Sequence, residues 1–114
     1  MTLIELEIEM MKASKAILLE GDIYAEAKST YEQLIDFKDP VKFAQYTFKG
    51  SIALQEAIAK TSQTYQTHLT GIGEARRAFE KAKVRFIHAQ SYFEALRTQI
   101  SNKKVLIEKG IDHA

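Results

Sequence analysis

The residues of this chain best suited to chemistry are cations. The run EARRAFEKAKVRF brings Arg76, Arg77, Lys81, Lys83 and Arg85 together, and Arg97, Lys103 and Lys104 follow. On a helix, Arg76 and Lys83 share a face and Arg77 and Lys81 lie about one turn apart, with Arg85 off to one side. The charges therefore partly surround the rod and partly form a stripe. Such a stripe with rings nearby suits a single-stranded polyanion, because cations neutralise phosphates and exposed aromatics stack on bases. Phe79, Phe86 and Phe93 interleave with the cations, but their spacing commits them to helix packing, where they cannot stack on a base. Tyr65 and Tyr92 are read as lying off that seam and free to do so.

Other chemistries find little support. His68, His88 and His113 are the only imidazoles. None has a histidine or carboxylate four residues away, as a helical metal face requires, so no metal site and no cofactor are expected. Glu5, Glu7 and Glu9 sit in a first helical turn, where carboxylates complement the dipole. No G-x-S-x-G elbow occurs, and Gly71-Ile72-Gly73 lacks the third glycine and the preceding strand of a dinucleotide fingerprint. No catalytic residue is assigned, and an enzyme is not expected.

The elements that hold these residues are set by a seven-residue repeat. Ile72, Phe79, Phe86, Phe93, Ile100 and Ile107 form one stripe, and Ala75, Ala82, Ala89, Leu96 and Lys103 occupy the positions between. Together they define the packing seam of a long helix over about residues 63–109, with Ser62 or Thr64 as its cap and Gly110 as its stop. A matching ladder of Leu3, Leu6, Met10, Ala13, Ile17, Tyr24, Ala27, Tyr31 and Leu34 predicts a first long helix over about 2–37, opened by a Thr2–Glu5 capping box. A break at Gly21-Asp22 is the alternative. Asp39-Pro40 marks the end of this helix and offers a cap and first-turn proline to the next. Residues 40–62 are read as a helical corner. There Gly50-Ser51 ends one short helix and caps another, whose apolar face is Ile52, Leu54, Ala57 and Ile58, while Phe43, Tyr46 and Phe48 plug the end of the core. Gly71 and Gly73 are the weak point of the last helix, where a kink or a separate short helix is possible.

The expected fold is thus all-α, a single helical domain over residues 1–114 built as a long antiparallel, coiled-coil-like hairpin. Large residues off the main stripe, among them Tyr65, Leu69, Val84, Ile87, Tyr92, Val105 and Leu106, widen the apolar arc beyond one partner and predict a homo-oligomer. Cysteine is absent, so there is no disulfide framework. The N-terminus carries glutamates where an export signal needs positive charge, and no apolar run suits a membrane span, so a cytoplasmic location without membrane contact is expected.

Net charge is close to zero, but it is divided. Residues 1–36 set three lysines against eight carboxylates, a net −5, and residues 74–109 set nine cations against four carboxylates, a net +5. One reading is that an acidic helix lies beside a basic one with complementary flanks. The other is that the basic helix also faces a polyanion. Both can hold together.

The run YAEAKSTYEQL, followed by SIALQEAIAKTSQTYQTHLTGIGEARRAFEKAKVRFIHAQSYFEALRTQISNKKVLI, resembles small helical proteins encoded in tailed-phage genomes and prophages. The likeness covers most of residues 22–107. It is most specific at Ala75-Phe79, Ala82-Phe86, the run Tyr92-Phe93-Glu94-Ala95-Leu96-Arg97-Thr98 and Ser101. More remotely, the layout looks like recombination mediators of the UvsY type, which oligomerise, bind single-stranded DNA and help a recombinase replace the single-strand-binding protein. That resemblance implies DNA contacts from Arg76, Arg77, Lys81, Lys83, Arg85, Arg97, Lys103 and Lys104. It also implies a recombinase or single-strand-binding protein as partner, and a bacterial host cell as location. The competing class is a helical interaction, assembly or chaperone protein that binds another protein without nucleic acid.

Overall fold

A computed structural model of the chain describes residues 1–47 and 49–113. The protein is all-α, with α1 (Leu3–Asp36), α2 (Lys38–Ala44), α3 (Ile52–Thr61) and α4 (Gln63–Glu108), and no strand occurs among the described residues. The chain divides into two compact units. Unit 1 is Met1–Tyr24 with Ala82–Ala114, and unit 2 is Ala25–Lys81.

Unit 1 is an antiparallel helix pair. Leu6, Ala13, Leu96 and Ile100 are its buried centre, with Leu3, Met10 and Phe93 packed against them. From Ala82 to Lys109 the only residues of α4 withdrawn from solvent are Ala82, Phe86, Ala89, Phe93, Leu96, Ile100, Lys103 and Ile107, the seam that the seven-residue repeat predicts. On α4 small and large residues alternate from Ala82 through Phe93, which lets two helices approach closely while each ring finds room. Phe86 stacks on Tyr24 with ring centroids 5.6 Å apart. A Cβ on Gly21 would lie 3.1 Å from the Phe86 ring, so this glycine makes space for a phenylalanine. The helix runs through it unbroken.

Both outer ends of unit 1 are capped. Thr2 Oγ1 accepts the Glu5 N–H at 3.2 Å. Beyond the last turn of α4, Gly110 adopts φ +70°, the Gly110 N–H bonds the Ile107 carbonyl and the Ile111 N–H bonds that of Leu106. This pair of bonds is a Schellman stop, which a glycine with positive φ permits. Lys103, on the seam, extends its ammonium to Asp112 at 2.6 Å.

Unit 2 repeats the antiparallel pairing and adds the corner. Tyr31 stacks on Phe79 at 5.6 Å, and His68 Nε2 donates to the Leu34 carbonyl at 2.7 Å. Ile72 and Ala75 are half-buried on the same stripe, and α4 continues through Gly71 and Gly73 without interruption. Ser62 closes α3 and caps α4, its Oγ accepting the Tyr65 N–H at 3.1 Å.

Several sequence-based expectations need correction here. The N-cap of α2 is Phe37, itself in the αR region and without a side-chain cap, so Asp39 lies inside the helix and is not its cap, while Pro40 stands in the first turn as expected. α1 ends where Pro40 cannot donate back to Asp36. Gly50, with φ +82°, does not end a helix, because α2 stops earlier, at Ala44. The inward face of α3 is Gln55 and Ala59, whereas Ile52 is 78% exposed and Leu54, Ala57 and Ile58 also face solvent. Ser62 and Tyr65 are likewise withdrawn from solvent where the chain passes from α3 into α4. Phe43 is 61% exposed and tilts against Tyr46, so it does not plug a core. Phe48 lies outside the described residues.

Candidate nucleic-acid interface

Four-residue steps from the seam decide which flank each cation occupies. In unit 1, Arg97 follows Phe93 by one turn and Lys104 follows Ile100 by one turn, and Lys83 stands at the same heptad position. All three are exposed. At 1.5 Å per residue they stand about 21 and 10 Å apart along one side of α4. Arg97 reaches only Glu94 of its own helix, at 3.4 Å, and both side chains are well exposed, so that pair holds it weakly. Among the described residues, no carboxylate lies within ion-pair distance of Lys83 or Lys104.

Arg85 is placed differently. It lies on the other flank of α4 and bonds Glu20 Oε1 at 3.2 Å. Glu20 occupies a seam position of α1 between Ala13 and Ala27, and its side chain is only 16% exposed. Its second oxygen is buried with no hydrogen-bond partner. A groove of about 490 Å³ opens there, lined by Ala16, Glu20, Val84, Arg85, His88, Ala89 and Tyr92. Most of that lining is apolar and nothing in it pairs an imidazole with a carboxylate, so the groove offers packing and one ion pair. Lys103 is also engaged, half-buried on the seam beside Asp112. The hydrogen bond from Lys103, followed by the His113 N–H, holds the Asp112 carboxyl below its ordinary range.

In unit 2, Arg76, Arg77 and Lys81 are exposed, again with no carboxylate within ion-pair distance among the described residues. The charged contact of the corner is separate. Lys42 on α2 and Lys60 on α3 both approach Glu56, at 3.5 and 3.4 Å. Lys60 first and Lys42 second hold the Glu56 carboxyl low.

The aromatics are not arranged to stack with this row. Tyr65 is 6% exposed and lies seven residues before Ile72, on the seam itself, so its expected freedom is lost. Tyr92 is exposed, but it lies on the flank of Arg85 and its hydroxyl donates to Glu9 Oε2 at 3.4 Å. The eight cations read from sequence thus separate into Arg76, Arg77, Lys81, Lys83 and Lys104, which face water; Arg97, held loosely; and Arg85 and Lys103, held within the helix pair. Sequence reading missed Glu20, although its place between two alanines of the α1 ladder marks it. Among the described residues no group of three or more metal-binding side chains assembles, and no helix is long and apolar enough to cross a membrane. The chain matches no family model, no curated protein and no solved structure.

Proposed function

We propose that this protein is a non-enzymatic, oligomeric, mediator-like protein that holds single-stranded DNA through phosphate contacts along α4 and presents it to a recombinase or single-strand-binding protein. The observation that carries the reading is charge left unused. Of the nine cations between residues 74 and 109, Arg85 alone pairs with α1 among the described residues. Complementary flanks between an acidic and a basic helix therefore account for little of the division in charge, and the exposed row Lys83, Arg97 and Lys104 remains for an external anion. Because no exposed ring accompanies that row among the described residues, binding rests on phosphates and is insensitive to sequence. The recombination task itself is drawn from the resemblance to UvsY-type mediators.

Fluorescence anisotropy with a labelled oligonucleotide at low salt tests this directly. Three phosphate contacts give a slope of about −2 in log K against log salt for a single strand. Charge reversal at Lys83, Arg97 and Lys104, with Arg76 and Arg77 reversed as a second set, should abolish binding while helicity by circular dichroism stays unchanged. No binding at low salt would refute the reading. A second reading, an interaction or assembly protein without nucleic acid, is favoured by the large apolar side chains that α1 turns to solvent, Met11 and Leu18 foremost.

A further inference from the structure

α1 carries a second 3.5-residue repeat that its pairing with α4 does not use. Ile4, Ile8, Met11 and Leu18 are spaced in steps of four, three and seven, on the side of unit 1 turned away from Leu6, Met10 and Ala13. All four are exposed, Met11 by 65% and Leu18 by 69%. Lys15 is the one charge between Ile4 and Leu18, and the next step reaches the exposed Asp22. The outward side of α4 in the same unit is its counterpart in shape. Ser91, Glu94, Thr98, Ser101 and Val105 follow the same step, all exposed, all small or β-branched except Glu94, the one charge between Ser91 and Val105; Val84 and Ile87 precede them on this step and Glu108 follows.

Set antiparallel, the two rows register along their length. Ile4 meets Val105, Ile8 meets Ser101, Met11 meets Thr98, Leu18 meets Ser91, and Lys15 falls opposite Glu94. We infer that in solution the outward face of α1 seats on the outward face of α4 of a second copy of this chain. The alternative, α1 against α1, is disfavoured by its own charges. A parallel pairing sets Lys15 against Lys15, and each layered antiparallel register sets it against Ile4, Met11 or Leu18, none of which is a carboxylate. Four large side chains at roughly 60–120 Å² each bring about 250–500 Å² of apolar surface. A similar, more polar area from α4 brings the total to about 500–1,000 Å², the range of a weak contact that reaches a specific interface only at its upper end. Because the two faces differ, each copy in a pair leaves one face unused, and the contact repeats head to tail, as a ring where the rotation closes and as a filament where it does not.

The inference is independent of nucleic-acid binding, and sedimentation velocity on the full chain tests it. Wild type at about 50 µM should be oligomeric, as a micromolar contact requires. Met11→Asp with Leu18→Asp removes the α1 face, and Ser91→Arg with Ser101→Arg removes the α4 face; each variant alone should be monomeric. Mixed, the two should form a one-to-one dimer, since each retains the face the other lacks. Lys15→Glu and Glu94→Lys should each weaken association about tenfold, and the double exchange should recover it. The inference is overturned if wild type is monomeric, if either face variant still assembles, if the mixture stays monomeric or if the double exchange fails to recover. Should the aspartate variant lose helicity, the charge exchange decides alone.

Discussion

Replacing glycine by alanine should act in opposite directions at two places in these helices. Inside a helix the exchange is worth up to about 1 kcal/mol in favour of alanine, because glycine gives up more backbone freedom on folding. At Gly71 and at Gly73 an added Cβ meets nothing within 4 Å. Gly71→Ala and Gly73→Ala should each stabilise the protein by about 0.5–1 kcal/mol. At Gly21 the same methyl would sit 3.1 Å from Phe86 Cε2 and 3.7 Å from Cδ2 and Cζ. That ring already stacks on Tyr24 at an interplanar angle of 13°, so it cannot retreat without disturbing the stack. Overpacking of this kind costs about 1–3 kcal/mol, more than the propensity gain. Gly21→Ala should therefore destabilise by about 1 kcal/mol. Urea unfolding at fixed protein concentration measures all three, read as a shift in midpoint at constant slope. In a Phe86→Leu background the penalty at Gly21 should vanish. If Gly21→Ala stabilised as much as Gly71→Ala, the ring would not lie over the glycine, and the register deduced for unit 1 would be wrong.

Two further outcomes follow from charged residues. Asp112 and Glu56 both have carboxyls held below the ordinary range, the first by Lys103 and then the His113 N–H, the second by Lys60 and then Lys42. A carboxylate depressed in the folded state adds stability above its unfolded pKa and loses it as pH falls through the folded one. Acidification below about pH 4 should thus loosen the turn after α4 and the α2–α3 corner, seen as amide exchange, and Asp112→Asn should remove the pH dependence of the first. Glu20→Leu should leave stability unchanged or raise it by about 1–2 kcal/mol in thermal melts, since an apolar residue replaces a mostly buried carboxylate with one unsatisfied oxygen. A marked loss of stability there would mean that the bond to Arg85 is worth more than the burial of Glu20 costs.

The long helices were legible because their signal is local and repeated. A seven-residue step through Phe79, Phe86 and Phe93 names the seam without knowledge of the partner, and Ser62 and Gly110 punctuate it as cap and stop. What failed was orientation of a short helix. A short helix carries too few turns for its apolar pattern to fix its face, and Ile52 and Leu54 lose to Gln55 and Ala59 despite their greater hydrophobicity. Tyr65 was misplaced because the ladder was started at Ile72 rather than one heptad earlier. Glu20 escaped notice because a carboxylate on a seam reads as an interruption, although it stands at the position its alanine neighbours repeat.

The division of charge looked like the device that joins the two long helices, and it contributes little to joining them. The helix pair of unit 1 closes on Leu6, Ala13, Leu96 and Ile100, and among the described residues only Glu20 and Arg85 form an ion pair between α1 and α4. An apolar seam needs no charge complement to associate, so charges placed outside it are free to specify what else the surface meets. The mixed charges beside the apolar row on α1 suit a copy of the same chain, through Lys15 and Glu94. Among the described residues no carboxylate lies within ion-pair distance of Lys83 or Lys104, so that row has no counterpart in this contact, and on the function proposed above a polyanion would answer it. The two surfaces therefore separate by salt: added salt should release an oligonucleotide while head-to-tail association, which rests mainly on apolar area, persists.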